Sequence, residues 1–554
     1  MDTGMPSPNT SSPVVYSTLT GNNTIDLLIY GMQWANTNIS YSFIVPGISY
    51  FSASYPDTSL FQNIQALSLA QQNAFNSALS AWSNVAAINF VQSADNSTTV
   101  GDIRVAFSWS TSATTANEAA FTYLPSTNPA GGDIWINPTA NDSLGGYANG
   151  TFAYSNFQQG SYAYYTLLHE LGHAIGLKHP FETSPYNTDA VTPAGTGWDS
   201  RSYTLMSYTT LSGHPDAIGF SFNPTTPMVL DIAAIQSMYG ANYAFNAGAT
   251  TYSFNDNPGQ HYFQTIWDGG GNNAISYSGN TSSVIDLRPG YGSTIGNPVY
   301  AETATNPNAY LVNNVWIAYG THIDTAVVTG YGNNTLQANN DGDTLIGGSG
   351  NDTFIGGTGN DTFKAGSGND TINGGGGTNT CIFAGNSLQY NILLGTENSA
   401  VVSDAIAGFN VSDTLTNIQR LHFADTNIAI DINGNAGTTA MILGAVFGAA
   451  SEANKQYVGI GLSLLDGGMS SQNLTTLALN AELGAGFSNA AEINLLYQNL
   501  VGSLPSASDL NYWTGTLTSG QYTQTSLAVM AENTSLNATN IHLIGLHQTG
   551  IQYA

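Results

Sequence analysis

The sequence predicts a multidomain protein in which an α/β domain is followed by a parallel β-roll or β-sandwich domain and then by a mostly α-helical domain. Three observations along the 554 residues predict this order. Strand-like runs and helical stretches alternate before residue 245, a nine-residue repeat fills about 330–383, and Ala/Leu-rich helical periodicity begins near 436. We therefore expect an N-terminal arm or pro-segment at 1–24 and domains at 25–245, 246–435 and 436–554.

Acidic residues dominate the charge, with 35 Asp and Glu against 7 Lys and Arg and a formal net charge of −28. Such a chain offers no basic patch to nucleic acid or to an anionic membrane, so we expect metal cations as partners instead. The low total charge and abundant Gly, Asn, Thr and Ser favour an extracellular, secreted protein. No apolar run is long enough for a membrane span. Residues 1–40 show no general secretory signal, which predicts export by another route or a signal already removed.

The α/β prediction for the first domain comes from strand-like runs placed between helices. These runs lie at 25–30, 39–45, 87–91, 102–107, 120–124 and 133–136. A helix begins after Ser68, where Gln71 completes a capping box, and Phe75, Leu79 and Trp82 mark its apolar face at helical spacing. Further helices are expected at about 162–177 and 228–239.

The helix expected at 162–177 carries His-Glu-Leu-Gly-His-Ala-Ile-Gly-Leu-Lys-His, from His169 to His179. His169 and His173 are four residues apart, so they share one helix face and can bind one ion together. Gly176 permits the positive φ that ends a helix, so His179 can return as a third ligand. A single histidine is usually a packed or solvated residue. Three at this spacing instead predict a catalytic zinc site, since structural zinc normally has four protein ligands. Glu170 is placed to act as general base on a zinc-activated water.

A second motif, Met206-Ser207-Tyr208, resembles the Met-turn beneath the zinc of metzincin proteases. With the proline after His179, the stretch Asp231-Ile-Ala-Ala-Ile-Gln-Ser-Met-Tyr-Gly240 and the repeats, the chain resembles the serralysin family over about residues 30–430. This resemblance implies a metzincin-like α/β fold and a zinc endopeptidase. It further implies that Tyr208 binds zinc at rest and then stabilises the oxyanion. Segment 120–125 would take substrate as an added β-strand, with an ordinary sheet strand as an equal alternative.

Nine-residue units of the form Gly-Gly-x-Gly-x-Asp-x-apolar-x repeat within about 330–383. They resemble the RTX β-roll repeat, in which glycine turns direct carbonyl oxygens at calcium and one Asp per turn adds charge. The alternative is a Gly/Asn-rich flexible linker. The residues expected to bind calcium are Asp343, Gly348, Gly350, Asp352, Gly357, Gly359, Asp361, Gly366, Gly368 and Asp370. If turns two repeats apart stack, as in the family, Asp352 faces Asp370 and Asp343 faces Asp361.

The eighth position of each unit predicts an inward apolar column, formed by Leu336, Leu345, Phe354, Phe363, Ile372 and Cys381. Cys381 is the only cysteine in the chain, so no intrachain disulfide can form, and its place in this column predicts a buried core residue.

The expected cofactors are zinc and calcium, and the expected substrate is a protein or peptide. Repelling carboxylates predict that the repeats fold only with calcium, outside the cell. The family resemblance implies export by type I secretion machinery. Residues 495–520 resemble a helical domain of unknown function from bacterial surface and secreted proteins, which leaves a cell-surface partner open. The alternative function is a calcium-folded surface or S-layer-associated protein whose protease domain is vestigial or cuts a single partner.

Overall fold

The computed structural model describes residues 6–108, 118–138, 157–187, 191–192, 194–396, 398–405 and 411–554. The chain divides into two compact units, residues 1–323 and 324–554. Across the described ranges, every helix is too short or too polar to cross a membrane.

The first unit combines short strands with four α-helices in its described residues. The helices are Asn23–Asp26 (α1), Leu69–Val85 (α2), Tyr162–Ala174 (α3) and Val229–Tyr239 (α4), with a 3-10 helix at Thr58–Gln62. The strands are Val14–Tyr16 (β1), Met32–Trp34 (β2), Asn38–Phe43 (β3), Asn89–Gln92 (β4), Ile103–Phe107 (β5), Ala120–Thr122 (β6), Ile134–Ile136 (β7), Ala217–Phe220 (β8), Thr251–Phe254 (β9), Gln264–Ile266 (β10), Ala274–Tyr277 (β11), Val284–Asp286 (β12), Gly292–Ser293 (β13), Val299–Thr303 (β14), Tyr310–Val312 (β15) and Val315–Ile317 (β16).

One five-stranded sheet of the first unit positions the candidate active site. Its order is β4-β3-β5-β7-β6. The first four strands pair in parallel, whereas β6 joins β7 antiparallel and, among the residues that the structure describes, forms an edge of the sheet. An edge strand keeps one row of backbone N–H and C=O groups free of sheet pairing, so β6 can accept a further strand.

Helix α2 confirms the capping box expected at its start, because the Ser68 hydroxyl accepts from Gln71 N and the Gln71 side chain accepts from Ser68 N. Its apolar face is buried against α3, and Trp82 Nε1 donates to Leu168 O at 3.2 Å. The capped, amphipathic pattern therefore predicted this helix correctly, with tertiary packing supplying most of its stability.

Two local expectations were wrong. The run at 25–30 forms no strand, and its first two residues belong to helix α1. The Asn22 side chain caps this helix by accepting a hydrogen bond from Thr24 N, and the Asp26 carboxylate accepts one from Thr20 N. Helix α3 ends at Ala174, earlier than 177, because Gly176 takes φ +109°. A Cβ at Gly176 would lie 2.7 Å from Met32 O, so the turn requires glycine.

The second unit begins with a two-sheet roll. Within this unit, one sheet has the order β17-β19-β21-β23-β27-β28-β29 and the other has the order β18-β20-β22-β26-β25-β24. The strands are Thr325–Val328 (β17), Thr335–Gln337 (β18), Thr344–Ile346 (β19), Thr353–Ile355 (β20), Thr362–Lys364 (β21), Thr371–Asn373 (β22), Thr380–Ile382 (β23), Tyr390–Leu394 (β24), Ala400–Asp404 (β25), Ser412–Thr416 (β26), Arg420–His422 (β27), Asn427–Ala429 (β28) and Ile551–Tyr553 (β29).

The nine-residue period sends successive strands to opposite sheets. Each strand therefore pairs in parallel with the strand two repeats later, for example Leu336 opposite Phe354 and Phe363 opposite Cys381. The apolar column predicted from the eighth position is fully buried, including Cys381. Its burial raises the pKa of the thiol, as expected of a core residue.

The rest of the second unit is a helical region. Its helices are Asn435–Phe447 (α5), Lys455–Asp466 (α6), Ser471–Leu483 (α7), Asn489–Val501 (α8), Ala507–Thr518 (α9), Gln524–Glu532 (α10), Ser535–Asn540 (α11) and Leu543–Thr549 (α12). A buried guanidinium joins it to the roll: Arg420 on β27 donates to Asp431 and, from Nη2 at 2.7 Å, to Asp466 on α6. The described chain therefore has the expected layout of an α/β region, a β-rich repeat region and a helical region.

Candidate active site and calcium-binding turns

The three histidines of the motif converge on one point. His179 Nε2 lies 3.1 Å from His173 Nε2 and 3.3 Å from His169 Nε2. Zinc–nitrogen bonds of 2.0–2.1 Å at tetrahedral angles would place the nitrogens of neighbouring ligands about 3.3 Å apart. The spacing of the Nε2 atoms therefore fits a zinc ion held by three imidazoles.

The opposite nitrogen of each ring lies close to an oxygen. His169 Nδ1 faces Leu205 O at 2.7 Å, His173 Nδ1 faces Leu177 O at 2.8 Å, and His179 Nδ1 lies 2.8 Å from Glu182 Oε2. Because Leu205 O and Leu177 O accept, Nδ1 of His169 and of His173 carries the proton, and Nε2 of each ring keeps its lone pair for a metal. Burial, with the neighbouring imidazole of His179, lowers the pKa of His169 to about 3, which keeps that ring neutral.

Glu170 lies beside the histidine cluster and is buried on α3. Its Oε2 accepts a hydrogen bond of 2.6 Å from the Thr122 hydroxyl on edge strand β6. Burial raises the pKa of Glu170 to about 8; the Thr122 hydrogen bond opposes this shift and the Glu118 carboxylate adds to it. A bound cation would act in the opposite direction to burial. The carboxylate is thus held in one position in a site where its protonation state can change.

The Met-turn lies under the cluster, with Met206 fully buried. A Cβ at Gly172, inside the histidine motif, would come within 2.6 Å of Met206 Sδ, so glycine there allows the close approach. Asp231 fixes the turn: its carboxylate accepts from Thr204 Oγ1 at 2.6 Å and from Leu205 N at 2.7 Å. Leu205 O is the oxygen that orients His169, so Asp231 and the first ligand are linked through this turn.

Tyr208 extends from the turn over the site. Its ring centroid is 4.4 Å from that of His179 and 5.8 Å from that of His169, and its side chain is 57% exposed. The structure therefore places it beside two of the three ligands while leaving it room to move. Desolvation, together with the Glu170 carboxylate, raises the pKa of the phenol, which keeps it a hydrogen-bond donor in the metal-free site.

Lys178 fixes the loop that carries the third ligand. Its buried Nζ donates to Leu27 O at 2.6 Å and to Glu182 O at 2.7 Å, with His179 O farther away at 3.4 Å. The ammonium therefore ties the chain after α1 to the loop, and the Glu182 side chain in turn contacts His179. Lys178 and Glu182 are positioning residues that the spacing of the histidines does not reveal.

In the repeats, turns two units apart stack too closely for side chains on the glycines. A Cβ at Gly348, Gly350, Gly366 or Gly368 would lie between 2.1 and 2.3 Å from the carbonyl oxygen eighteen residues earlier in the sequence, and at Gly357 and Gly359 closer still. Rows of carbonyl oxygens with one carboxylate per turn are a hard-oxygen environment of the kind calcium prefers. The donor set of the expected residues therefore fits calcium.

The repeat aspartates form two vertical columns. Asp352 N donates to Asp370 Oδ1 at 2.7 Å, and Asp343 N donates to Asp361 Oδ1 at 2.9 Å. These are the pairs that the repeat predicts to face each other. Burial raises the pKa of Asp343 and of Asp370 to about 7. Buried carboxylates stacked in this way repel when ionised, and a divalent cation would remove that repulsion.

The structure adds one acidic residue that the repeat pattern missed. Strand β26 pairs with β22 as though it were the next turn, and Asp370 N donates to Asp413 Oδ1 at 3.1 Å. Asp370 Oδ2 is buried and accepts no hydrogen bond from the described residues. The sequence Asp413-Thr-Leu repeats the Asp-Thr-apolar triplet of the regular units, which is the signal that could have identified it. At the other end of the second column, Asn379 replaces an aspartate and its Oδ1 accepts from Asp361 N at 2.9 Å.

Comparison with known proteins bears on both regions. Residues 59–188 match the matrixin peptidase family, and residues 328–363 and 346–381 match the RTX calcium-binding nonapeptide repeat. A metallopeptidase AprA of Pseudomonas marginalis is 33% identical over 59% of this chain and 62% of its own length. A metalloprotease AprA of Pseudomonas entomophila (32%; 51% and 60%) and a serralysin of Photorhabdus laumondii (32%; 53% and 59%) are similar.

The fold, the histidine cluster and the family matches define the class: a matrixin-like metallopeptidase domain joined to calcium-binding repeats, with zinc and calcium as the ions. Within that class, the chain is similar to serralysin-type metalloproteases, and its repeats match the RTX calcium-binding repeat. The chain spans about 60% of the length of these curated relatives.

Proposed function

We propose that the protein is a zinc-dependent endopeptidase. The observation that carries this proposal is the convergence of three Nε2 atoms beside the buried Glu170 carboxylate, next to a strand that is a sheet edge within the described part of the chain. Three histidines leave one coordination position open, which is the arrangement of catalytic and not of structural zinc. His169, His173 and His179 would hold the ion, with Tyr208 as a further ligand at rest.

When bound, zinc supplies Lewis acidity that activates water and polarises a peptide carbonyl. Glu170 accepts the proton of the attacking water and returns it to the departing amine, as a single carboxylate can do in succession. The Thr122 hydroxyl holds Glu170 Oε2 by a hydrogen bond, so the carboxylate is already oriented before the reaction. The Tyr208 hydroxyl donates to the carbonyl oxygen as negative charge develops on it.

Substrate would bind in an extended conformation along β6. Main-chain hydrogen bonds to the open edge would bring the scissile peptide to the histidines, because Thr122 on the same strand contacts Glu170. Binding through the backbone tolerates many sequences, so selectivity would come from pockets beside the strand.

The repeats would bind calcium through Asp343, Asp352, Asp361 and Asp370, with carbonyl oxygens of the stacked glycine turns. Asp413 would complete the last turn of its column. Since the carboxylates repel without a cation, we propose that the roll forms in calcium-rich surroundings outside the cell, after export by type I secretion machinery. A cell-surface partner would bind through the helical region.

The test compares wild type with Glu170→Gln on casein and on a quenched-fluorescence peptide library. The variant should keep stoichiometric zinc by elemental analysis but lose at least about a thousandfold in kcat/KM, since it cannot accept a proton. Glu482→Gln, which changes an exposed glutamate of the helical region, is the matched control and should retain full activity.

Equal cleavage by wild type and Glu170→Gln would refute the mechanism. Zinc-loaded wild type that cleaves nothing would instead support the alternative of a calcium-folded surface protein with a vestigial protease domain.

A further inference from the structure

A buried carboxylate, that of Asp199, holds the two residues on either side of Tyr208. Asp199 is fully buried, and its Oδ1 accepts a hydrogen bond of 2.6 Å from the Ser207 hydroxyl. Its Oδ2 accepts one of 2.8 Å from the Thr209 hydroxyl. Hydrogen bonds to an ionised acceptor are about twice as strong as those between neutral groups. Both neighbours of Tyr208 are therefore bound firmly to one group.

The main chain on both sides of Tyr208 is held as well. The Tyr165 hydroxyl lies 3.0 Å from Ser207 O, and Arg201 N donates to Thr209 O at 2.9 Å. The Ser207 hydroxyl, which donates to Asp199, also accepts from Thr209 N at 3.0 Å and so closes a tight turn around Tyr208. Together with the Asp199 carboxylate, these bonds fix the backbone from which the Tyr208 side chain extends.

The Tyr208 ring is held less firmly than its backbone. Its centroid lies 4.4 Å from that of His179 and 5.5 Å from that of Phe181. Packing contacts of this kind are weak individually and have little directionality, so they allow the ring to turn about its side-chain torsions. In the proposed mechanism Tyr208 lies beside the metal at rest and then donates to the oxyanion. A fixed backbone is the pivot that this movement requires, because a displacement of about 1 Å can cost about a hundredfold in rate.

Asp199 itself is outside the reacting groups. Its Oδ2 also accepts from Gly195 N at 2.6 Å, which ties the carboxylate to the preceding segment of chain. The hydrogen-bond partners of the carboxylate in the described part of the chain include no zinc ligand, and its burial keeps it from contact with a bound peptide. Any influence on catalysis must therefore pass through the turn that carries Tyr208.

We propose that Asp199 is a positioning residue that acts through Tyr208. By holding Ser207 and Thr209, it confines the movement of Tyr208 to the side-chain torsions between a metal-binding and an oxyanion-binding position. This inference rests on the proposed endopeptidase function and adds to it a residue that the spacing of the histidines does not predict.

The first measurement replaces zinc with Cu²⁺ and needs no turnover. A phenolate bound to Cu²⁺ gives a charge-transfer absorption band in the visible range, so this band reports Tyr208 on the metal. Wild type should show the band and Tyr208→Phe should lack it. Asp199→Asn has nearly the same volume but is a weaker, uncharged acceptor, and it should lose most of the band. Asp216→Asn changes an exposed carboxylate of the same unit that accepts from Tyr310, and it should keep the band in full.

The second measurement is a double-mutant cycle in peptide cleavage. Asp199→Asn should lower kcat by about 10–100-fold and change KM by less than about twofold, since the oxyanion contact forms only in the transition state. Tyr208→Phe should lose at least about a hundredfold. The double variant should be no slower than Tyr208→Phe, because Asp199 then has no phenol hydroxyl to position.

The Thr209 hydroxyl gives an independent test in case Asp199→Asn does not fold. Thr209→Val has the same shape but removes one of the two hydroxyls that Asp199 binds, so it should weaken the copper band and lower kcat. Thr209→Ser keeps the hydroxyl and should restore both.

A copper band of full intensity in Asp199→Asn would overturn the role of Asp199, and so would losses of kcat that multiply in the double variant. A copper band that depends on Asp199, in a protein that cleaves no peptide, would refute the peptidase proposal alone. A wild type that shows neither the band nor cleavage would overturn both proposals.

Discussion

Replacing Lys178 with Met should loosen the third zinc ligand without touching the metal site directly. Met has a similar length and fills the same space, but it cannot donate hydrogen bonds. Leu27 O, which is buried, and Glu182 O, which is partly buried, now lie 2.6 and 2.7 Å from the ammonium and would lose this donor. The loop that presents Glu182 to His179 would then lose the ammonium and keep the hydrogen bonds that the Ser184 and Asn187 side chains donate to main-chain oxygens near α1.

The magnitude follows from those two bonds. Each hydrogen bond from a charged donor is worth about 1.5–3 kcal/mol, and relief from burying an ammonium returns part of that, so the net loss of stability should be about 2–4 kcal/mol. Partners that orient a metal-binding histidine typically contribute about 10–100-fold to metal affinity. We therefore expect Lys178→Met to weaken zinc binding by a factor in that range.

Zinc affinity would be measured by competition with a chromogenic chelator, and stability by urea unfolding of the zinc-free protein. Lys364→Met makes the same substitution at an exposed lysine of the roll and should change neither quantity. Unchanged zinc affinity in Lys178→Met, in a protein that still unfolds cooperatively, would show that the loop is fixed by other contacts and that the reasoning is wrong.

Three further outcomes are expected in the second unit. Gly350→Ala should abolish calcium-induced folding in a circular-dichroism titration, because its Cβ would lie 2.2 Å from Gly332 O. Asp343 and Asp370 have pKa values raised to about 7, above those of an unfolded chain, so without calcium their contribution to stability is present at pH 4 and lost as pH rises to 7. The increase in melting temperature on adding calcium should therefore grow between pH 5 and 8. Arg420→Met should cost about 3–5 kcal/mol in urea unfolding, since it leaves Asp431 and Asp466 as carboxylates without their cation.

Two of these outcomes have a matched control variant, and the pH dependence has a result that would contradict it. Gly376→Ala should be mild, because the nearest atom to its Cβ would be 3.3 Å away. A calcium-dependent increase in melting temperature that shrinks with rising pH would contradict the assignment of the aspartates. Arg288→Met, at a half-exposed ion pair, should cost at most about 1 kcal/mol, and an equal cost for Arg420→Met would show that the buried network contributes little.

Features with a fixed sequence period could be predicted, because residues repeated at that period occupy equivalent positions in the folded chain. Histidines four apart on a helix and apolar residues nine apart in the roll each imply one spatial arrangement, and the structure has both. The capping box of α2 could also be predicted, because it depends on two residues that are three apart in the sequence.

Contacts between segments distant in sequence could not be read in this way. Thr122 reaches Glu170 across 48 residues, and no local pattern connects them. Asp413 follows Asp370 after 43 residues, which is not a multiple of nine, so only its Asp-Thr-Leu triplet relates it to the repeats. The strand predicted at 25–30 was wrong because its apolar residues can be buried equally well by a strand or by a one-turn helix. The polar cap at Asn22 favours the helix.

The alternation of the roll between two sheets has a consequence for how such a protein can change in length. Loss or gain of one nine-residue unit would send every later strand to the opposite sheet, so β26 could no longer follow β22 and β27 could no longer follow β23. Two units together would leave both successions intact. The number of nine-residue units in this region can therefore change by two at a time. A change by one unit would require the strands that close the roll to be rearranged.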